Sequence, residues 1–409
     1  MIDVFIARQP IFTANKKVFA YELLFRDAKS QSRYQEIDGN KATAQVLVHS
    51  LLEFGFSDLT GRKPAFINFP ADVLMESFMD QLPAEFIVLE ILEDVQPTPE
   101  IVSRCKALKE AGFRIALDDF VFSPEQQPLV ELANYIKIDF RATSREERRD
   151  IIENLQRPGL TFLAEKVESY EEYREAVAMG YHLLQGYFFC KPEILSGKTM
   201  SSDKKNIVLF LQELTKCDFD YHVLEDLLRH NISLTYKLLR LINSPYLGFR
   251  TQITSLKQAL TLIGQENLYK WISLLFLSSI KRGQCSELVY MALLRARFCE
   301  LAALRLKDSN VNMFFLGGMF SLMDAFLNRP MEDIVIDLPL NEDVKEGMLG
   351  LPNSIGLVLQ LIAACERGNF ERADMFALSL GLSSAHVMED YYQAGIWARR
   401  FLELLHVKE

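Results

Sequence analysis

Acidic side chains recur where apolar runs stop. Glu22 follows Val18-Phe19-Ala20-Tyr21, Glu90 follows Phe86-Ile87-Val88-Leu89, and Asp118-Asp119 follow Ile115-Ala116-Leu117. Asp139 closes Ile136-Lys137-Ile138, and Glu165 closes Phe162-Leu163-Ala164. Two amides share the pattern, Asn68 after Ala65-Phe66-Ile67 and Gln185 after His182-Leu183-Leu184. A carboxylate at the end of an apolar segment loses hydration unless something positive compensates it. A set of oxygen donors without imidazole or thiolate suits a hard cation, Mg2+ or Mn2+, rather than zinc. The neighbours Asp118 and Asp119 have the reach to bridge two ions about 3.5–4 Å apart, a spacing used in phosphoester displacement. Lys137 can then orient an attacking water or neutralise a phosphate oxygen. The plainer alternative is that each acid caps a strand or faces water, and at the level of spacing both readings stand.

The elements that must position these groups are short and alternating. Runs rich in Ile, Val and Phe occur at 4–7, 18–25, 65–69, 86–91, 113–118, 135–139, 161–164 and 182–189. Amphipathic stretches separate most of them: 41–54, 99–110, 146–155 and 170–179. Pro99 in a first turn, Gly112 after the end of that stretch and Gly180 after the last one are helix start and stop signals. About eight strands with interleaved helices predict an α/β unit, a TIM-like β/α barrel whose chemistry sits at the C-terminal strand ends. A doubly wound open sheet is the alternative.

Near residue 195 the character changes. The stretch 196–205 is small, polar and charged, and beyond it strand signals nearly vanish. Apolar residues at Leu234, Leu238, Leu241 and Ile242, then at Leu256, Ala259, Leu260 and Ile263, keep a helical spacing. The expectation is a first domain over 1–195 and an all-α second domain over 196–409. Met313 to Leu327 reads as one buried core helix, interrupted by Gly317-Gly318 and Asp324 and shorter than a bilayer span.

Composition narrows the function classes. Of 409 residues, 49% are hydrophobic and 24% charged, which suits folded cores and excludes a disordered chain. Asp and Glu outnumber Lys and Arg by 55 to 45, a formal charge of −10. Non-specific nucleic-acid binding and electrostatic attachment to an anionic membrane both need basic density, and neither is expected here. Six scattered cysteines without paired spacing and an N-terminus without a basic leader point to a reduced, cytoplasmic protein.

Residues 1–195 resemble the EAL domain of cyclic di-GMP phosphodiesterases. Gln9-Pro10-Ile11-Phe12 is similar to that family's QPI segment, and Tyr21-Glu22-Leu23-Leu24-Phe25-Arg26 to its EALxR signature, with Leu23 in place of alanine. Phe66-Ile67-Asn68, Glu90-Ile91-Leu92-Glu93, Ile136-Lys137-Ile138-Asp139, Ala164-Glu165-Lys166-Val167-Glu168 and Gln185-Gly186-Tyr187 match its later motifs in order. The resemblance implies a barrel with a two-metal site for Mg2+ or Mn2+. By that implication Glu22, Asn68, Glu90 and Asp118 hold the first ion, Asp118 bridges, and Asp119 helps hold the second. Lys137 positions water, Glu165 is the general base with Gln185 nearby, and Glu168 orders the site. Gln9 and Arg26 contact the dinucleotide, and the product is linear pGpG.

Two departures stand out. Members of the family usually follow Asp-Asp-Phe with a glycine-rich loop that orders the second ion and supports dimerisation. Here Asp118-Asp119-Phe120 runs into Val121-Phe122-Ser123-Pro124-Glu125-Gln126-Gln127-Pro128, stiffer and without glycine. Lys166 stands where the family has glycine, and its charge is expected to lower the basicity of Glu165. Cyclic di-GMP binding with weak or conditional hydrolysis is therefore the expectation. A catalytically inactive sensor and a protein-interaction scaffold are the alternatives, and a homodimer is possible.

The helical half resembles the HDOD domain, through Leu238-Leu239-Arg240-Leu241-Ile242-Asn243-Ser244 and Ser255-Leu256-Lys257-Gln258-Ala259-Leu260-Thr261-Leu262-Ile263-Gly264. Arg367-Gly368-Asn369-Phe370 fits the end of the same module. That resemblance implies a regulatory domain that engages another signalling protein, without metal ligands or catalysis of its own.

Overall fold

The computed structural model describes residues 4–27, 60–190, 242–243, 286–327, 329–338 and 340–405, and the single positions 258, 260, 262, 264 and 268. The expected helix over 41–54, the linker over 196–205 and the motif helices between 234 and 264 lie outside the described residues or touch them only at isolated positions. The chain divides into two compact units, Met1–Lys191 with Ala364–Arg372, and Pro192–Ala363 with Ala373–Glu409.

In the first unit eight strands close a barrel in sequence order. They are β1 (Val4–Thr13), β2 (Val18–Asp27), β3 (Ala65–Phe69), β4 (Ile87–Ile91), β5 (Arg114–Leu117), β6 (Tyr135–Asp139), β7 (Thr161–Glu165) and β8 (Leu183–Gln185). From β2 to β8 all neighbours are parallel. β1 is antiparallel to both β2 and β8, a difference from a regular β/α barrel. Its cause is local. Only residues 14–17 join β1 to β2, and a parallel crossover needs a dozen or more.

The helices have the predicted signals. Pro99–Glu110 starts with Thr98, whose side chain accepts from the Ile101 amide, and Gly112 beyond its end has φ 100°. Arg145–Leu155 and Tyr170–Met179 each begin with a capping box, Ser144 with Glu147 and Ser169 with Glu172. Gly180 closes the latter helix in the left-handed conformation.

One buried side chain from each strand fills the barrel: Ile11, Ala20, Phe66, Val88, Ala116, Tyr135, Leu163 and Leu183. This apolar layer is the floor on which the site rests.

Every described element of the second unit is helical: Ser286–Leu306, Val311–Phe320, Met323–Leu327, Met331–Asp337, Glu342–Met348, Ser354–Glu366, Phe370–Ser379 and Ser384–Leu405, with the end of Ser354–Glu366 and the start of Phe370–Ser379 grouped with the first. The expected single core helix from Met313 to Leu327 is two helices, parted at Ser321-Leu322. Its glycines serve packing, since a Cβ on Gly318 would meet the Arg295 carbonyl oxygen at 2.4 Å. Arg367-Gly368-Asn369 does not end the helical half. It turns between two helices, with Gly368 at φ 65°, and Ser384–Leu405 still follows. Among the described residues no helix is long and apolar enough to cross a membrane.

Candidate functional site at the barrel mouth

Side chains along a strand alternate between faces, so a residue two places beyond the apolar layer again points inward. Applied to β2 through β8, that step lands on Glu22, Asn68, Glu90, Asp118, Lys137, Glu165 and Gln185. On β1, which runs the other way, the step is backwards and lands on Gln9. Pairing agrees: Gln9 lies opposite Glu22, Asn68 opposite Glu90, and Ile11 opposite Gln185. The barrel thus carries a polar ring one layer above its apolar floor. Glu22 sits within β2 rather than at its end, because the antiparallel β1 prolongs that strand to Asp27.

Lys137 is the hub of the ring. Its side chain is 1% exposed, and Nζ lies 2.6 Å from Glu90 Oε1, 2.6 Å from Asp118 Oδ1, 2.8 Å from Glu165 Oε1 and 3.5 Å from Glu22 Oε2. Burial opposes the charged lysine, but Asp118, Glu165, Glu22 and Glu90 together overcome it and hold the ammonium well above its ordinary range. Burial holds Glu90 well above the ordinary carboxylate range against the opposing charge of Lys137. Glu165 is raised by burial first, with Asp118 and Glu22 adding to it and Lys137 opposing. One ammonium is shared by four carboxylates, an excess of negative charge that burial makes costly.

Gln185 Nε2 donates to Glu22 Oε2 at 2.6 Å and to Gln9 Oε1 at 3.0 Å, which fixes both on the β1–β2 side. Gly186 follows with φ 145°, and a Cβ there would meet the Val167 carbonyl oxygen at 2.0 Å. The segment after β7 therefore seats directly on the end of β8, and only glycine permits the approach.

The donor chemistry fits a hard divalent ion. Asn68 Oδ1, Glu90 Oε2 and Asp119 Oδ1 are buried without a hydrogen-bond partner, while Glu90 Oε1 lies against the Lys137 ammonium at 2.6 Å. Buried acceptors left this way call for a positive partner. Among the described residues no three His, Cys, Asp or Glu side chains are grouped to hold an ion by themselves. The ring carboxylates are gathered on Lys137 instead.

The remaining expected residues are placed differently. Asp119 leaves the ring. Its backbone is left-handed, φ 38°, and its Oδ1 lies 3.5 Å from Lys166 Nζ. Lys166 also contacts Asp139 Oδ2 at 2.5 Å. Burial works against the Lys166 charge, and Asp139 and Asp119 more than offset it. The Lys166 ammonium is directed chiefly at Asp139 and Asp119, and its charge also reaches Glu165 in the expected sense, although burial outweighs it and holds Glu165 up. Glu168 is ion-paired with Arg141 on the segment after β6, and its amide donates to Glu172 Oε2 at 2.6 Å. Arg26 pairs with Phe5 through the β1–β2 ladder, and its side chain lies outside the described residues. Sequence reasoning missed the Lys166–Asp139 pair, although Asp139, two places beyond Lys137, shares its face. No sequence signal marks Arg141.

Comparison with known proteins shows what the chain is similar to. The EAL domain model matches residues 3–192 and the HDOD domain model residues 202–327. The chain is 36% identical to the uncharacterized protein YuxH of Bacillus subtilis (strain 168), covering 98% of this chain and 99% of that one. It is 33% identical to the cyclic di-GMP phosphodiesterase CdgJ of Vibrio cholerae serotype O1, covering 99% of this chain and 94% of that one. A solved EAL domain protein from Listeria monocytogenes EGD-e aligns at 20% identity and TM-score 0.37, over 46% of this chain and 87% of that chain. End to end, the chain belongs to the family of proteins in which an EAL domain is followed by an HDOD domain.

Proposed function

We propose that the polar ring binds cyclic di-GMP together with Mg2+ or Mn2+ and opens it to linear pGpG, slowly or on cue. The observation that carries this reading is the convergence of Glu22, Glu90, Asp118 and Glu165 on one lysine, beside the unpartnered Asn68 Oδ1. The name of the Vibrio relative, matched along nearly its whole length, supports the substrate class. Glu22, Asn68, Glu90 and Asp118 would hold the ion, which when bound polarises a phosphoryl oxygen and acidifies water.

Lys137 orients the attacking water and balances the carboxylates around it. Glu165, 2.8 Å from Lys137, takes the proton as the water oxygen bonds to phosphorus and one phosphodiester P–O bond opens, the leaving ribose oxygen taking a proton from solvent. Gln185 fixes Glu22 and Gln9, and Gln9 and Arg26 are the proposed contacts to the dinucleotide. Glu168 orders the segment after β7 through Arg141. The domain limits 1–195 and 196–409, and a regulatory role for the helical half toward another signalling protein, belong to the same proposal.

Slow turnover follows from the segment after Asp119. Val121 is 72% exposed and Phe122 46%, and Pro124–Gln126 forms a stiff turn where backbone support for chemistry is needed. Engagement of Asp119 by Lys166 favours, as a second reading, a sensor that binds without turnover.

The deciding experiment incubates the purified chain with cyclic di-GMP and Mn2+ and resolves products by chromatography. Formation of pGpG that disappears in Glu22→Ala supports the enzyme. Binding in Ca2+ with no product under any metal selects the sensor, and no binding at all removes both.

A further inference from the structure

The carboxylates of Asp118 and Asp119 look to different ammonium groups. Asp118 Oδ1 is 2.6 Å from Lys137 Nζ, inside the ring. Asp119 turns out of the strand at φ 38° and faces Lys166. Asp139 completes that second pocket. Its Oδ1 accepts from the Arg141 and Ala142 amides at 2.6 and 3.1 Å, and its Oδ2 from Lys166 Nζ at 2.5 Å. Lys166 holds this place from a left-handed backbone, φ 54°, which L-residues with a side chain enter only at a cost. That conformation suits glycine, so the side chain there is tolerated against a local penalty.

We infer that the Lys166 ammonium stands in for a second divalent ion beside Asp119 and Asp139, so that this barrel holds one ion rather than two. This rests on the proposed reading of the ring as an ion site. The physical reason is charge. In the ring four carboxylates share one ammonium, and a divalent ion is still attracted. In the adjoining pocket two carboxylates share one ammonium: Asp139 is satisfied by backbone amides and Lys166, and Asp119 Oδ1, without a hydrogen bond, has the Lys166 charge at 3.5 Å as its counterion. A second ion bridging Asp118 and Asp119 would lie beside a fixed positive charge and be repelled by it. The Lys166 side chain is 51% exposed, so the same ammonium is open to a phosphate oxygen approaching the mouth.

Counting bound ions tests this without reference to turnover. The metal-stripped full chain is titrated with Mn2+, and free Mn2+ is followed by electron paramagnetic resonance. Wild type and Lys166→Arg are expected to bind one ion per chain. Lys166→Gly, which fits the backbone, and Lys166→Met, which keeps the length but not the charge, are expected to bind two, with spin coupling between them. Two ions in wild type, or one in both neutral variants, overturns the inference while leaving the ring reading intact. No ion in any of the four proteins removes the ring reading and this inference with it.

Discussion

At the residue scale the site is a consequence of alternation. A strand that buries Tyr135 in the apolar layer must point Lys137 the same way, and the same step brings in the other members of the ring. Lys137 is then what makes four buried carboxylates tolerable. Replacing it with methionine leaves them without their shared cation, and loss of one partner from a buried ion cluster costs about 3–5 kcal/mol. Urea unfolding of Lys137→Met in a chelator is expected to show a midpoint well below wild type, with part of the deficit restored by Mn2+. An unchanged midpoint would mean that the ring does not depend on this charge. Glu22→Gln keeps the shape and removes one negative charge, so its Mn2+ affinity in equilibrium dialysis is expected to fall at least tenfold.

At the element scale the decisive contacts are short and backbone-borne. Gly186 lets the segment at Val167 seat on the end of β8, and Gln185 is positioned by that seat. Gly186→Ala must shift one of the two backbones. A loss of about 1–3 kcal/mol in urea stability is expected, with weakened ligand binding because Gln185 moves with it. Ser169→Ala removes the capping box of the helix that follows β7 and should cost about 1 kcal/mol in urea stability. Most of these elements were legible in the sequence, because strands, caps and the glycine at 180 are set by local pattern. The ring positions were legible too, as acids and amides at strand ends. The antiparallel β1 was not read from the sequence, although the four-residue connection at 14–17 contained it. The direction taken by Lys166 was not legible, because a side chain's choice between Glu165 and Asp139 depends on a left-handed backbone angle that spacing does not reveal. The pairing of Glu168 with Arg141 was hidden for a similar reason, since it joins two segments of different strands.

At the scale of the whole molecule, a barrel with a carboxylate-rich mouth and a helical unit share one acidic chain. In the helical unit, Arg305 grips Asp390 with two hydrogen bonds, 2.6 and 2.8 Å, and reaches Glu389 at 2.7 Å, tying Ser286–Leu306 to Ser384–Leu405. Asp390 is buried, so Arg305→Met strands a carboxylate and is expected to lower thermal stability while leaving Mn2+ binding unchanged. The most direct measurement is calorimetric titration of the full chain with cyclic di-GMP in Ca2+, repeated in chelator and with Glu22→Ala. Saturable one-to-one binding that vanishes in both controls is predicted. Heat of binding that is absent with the ion present, or unchanged when the ion is removed, would contradict a dinucleotide site built on these carboxylates.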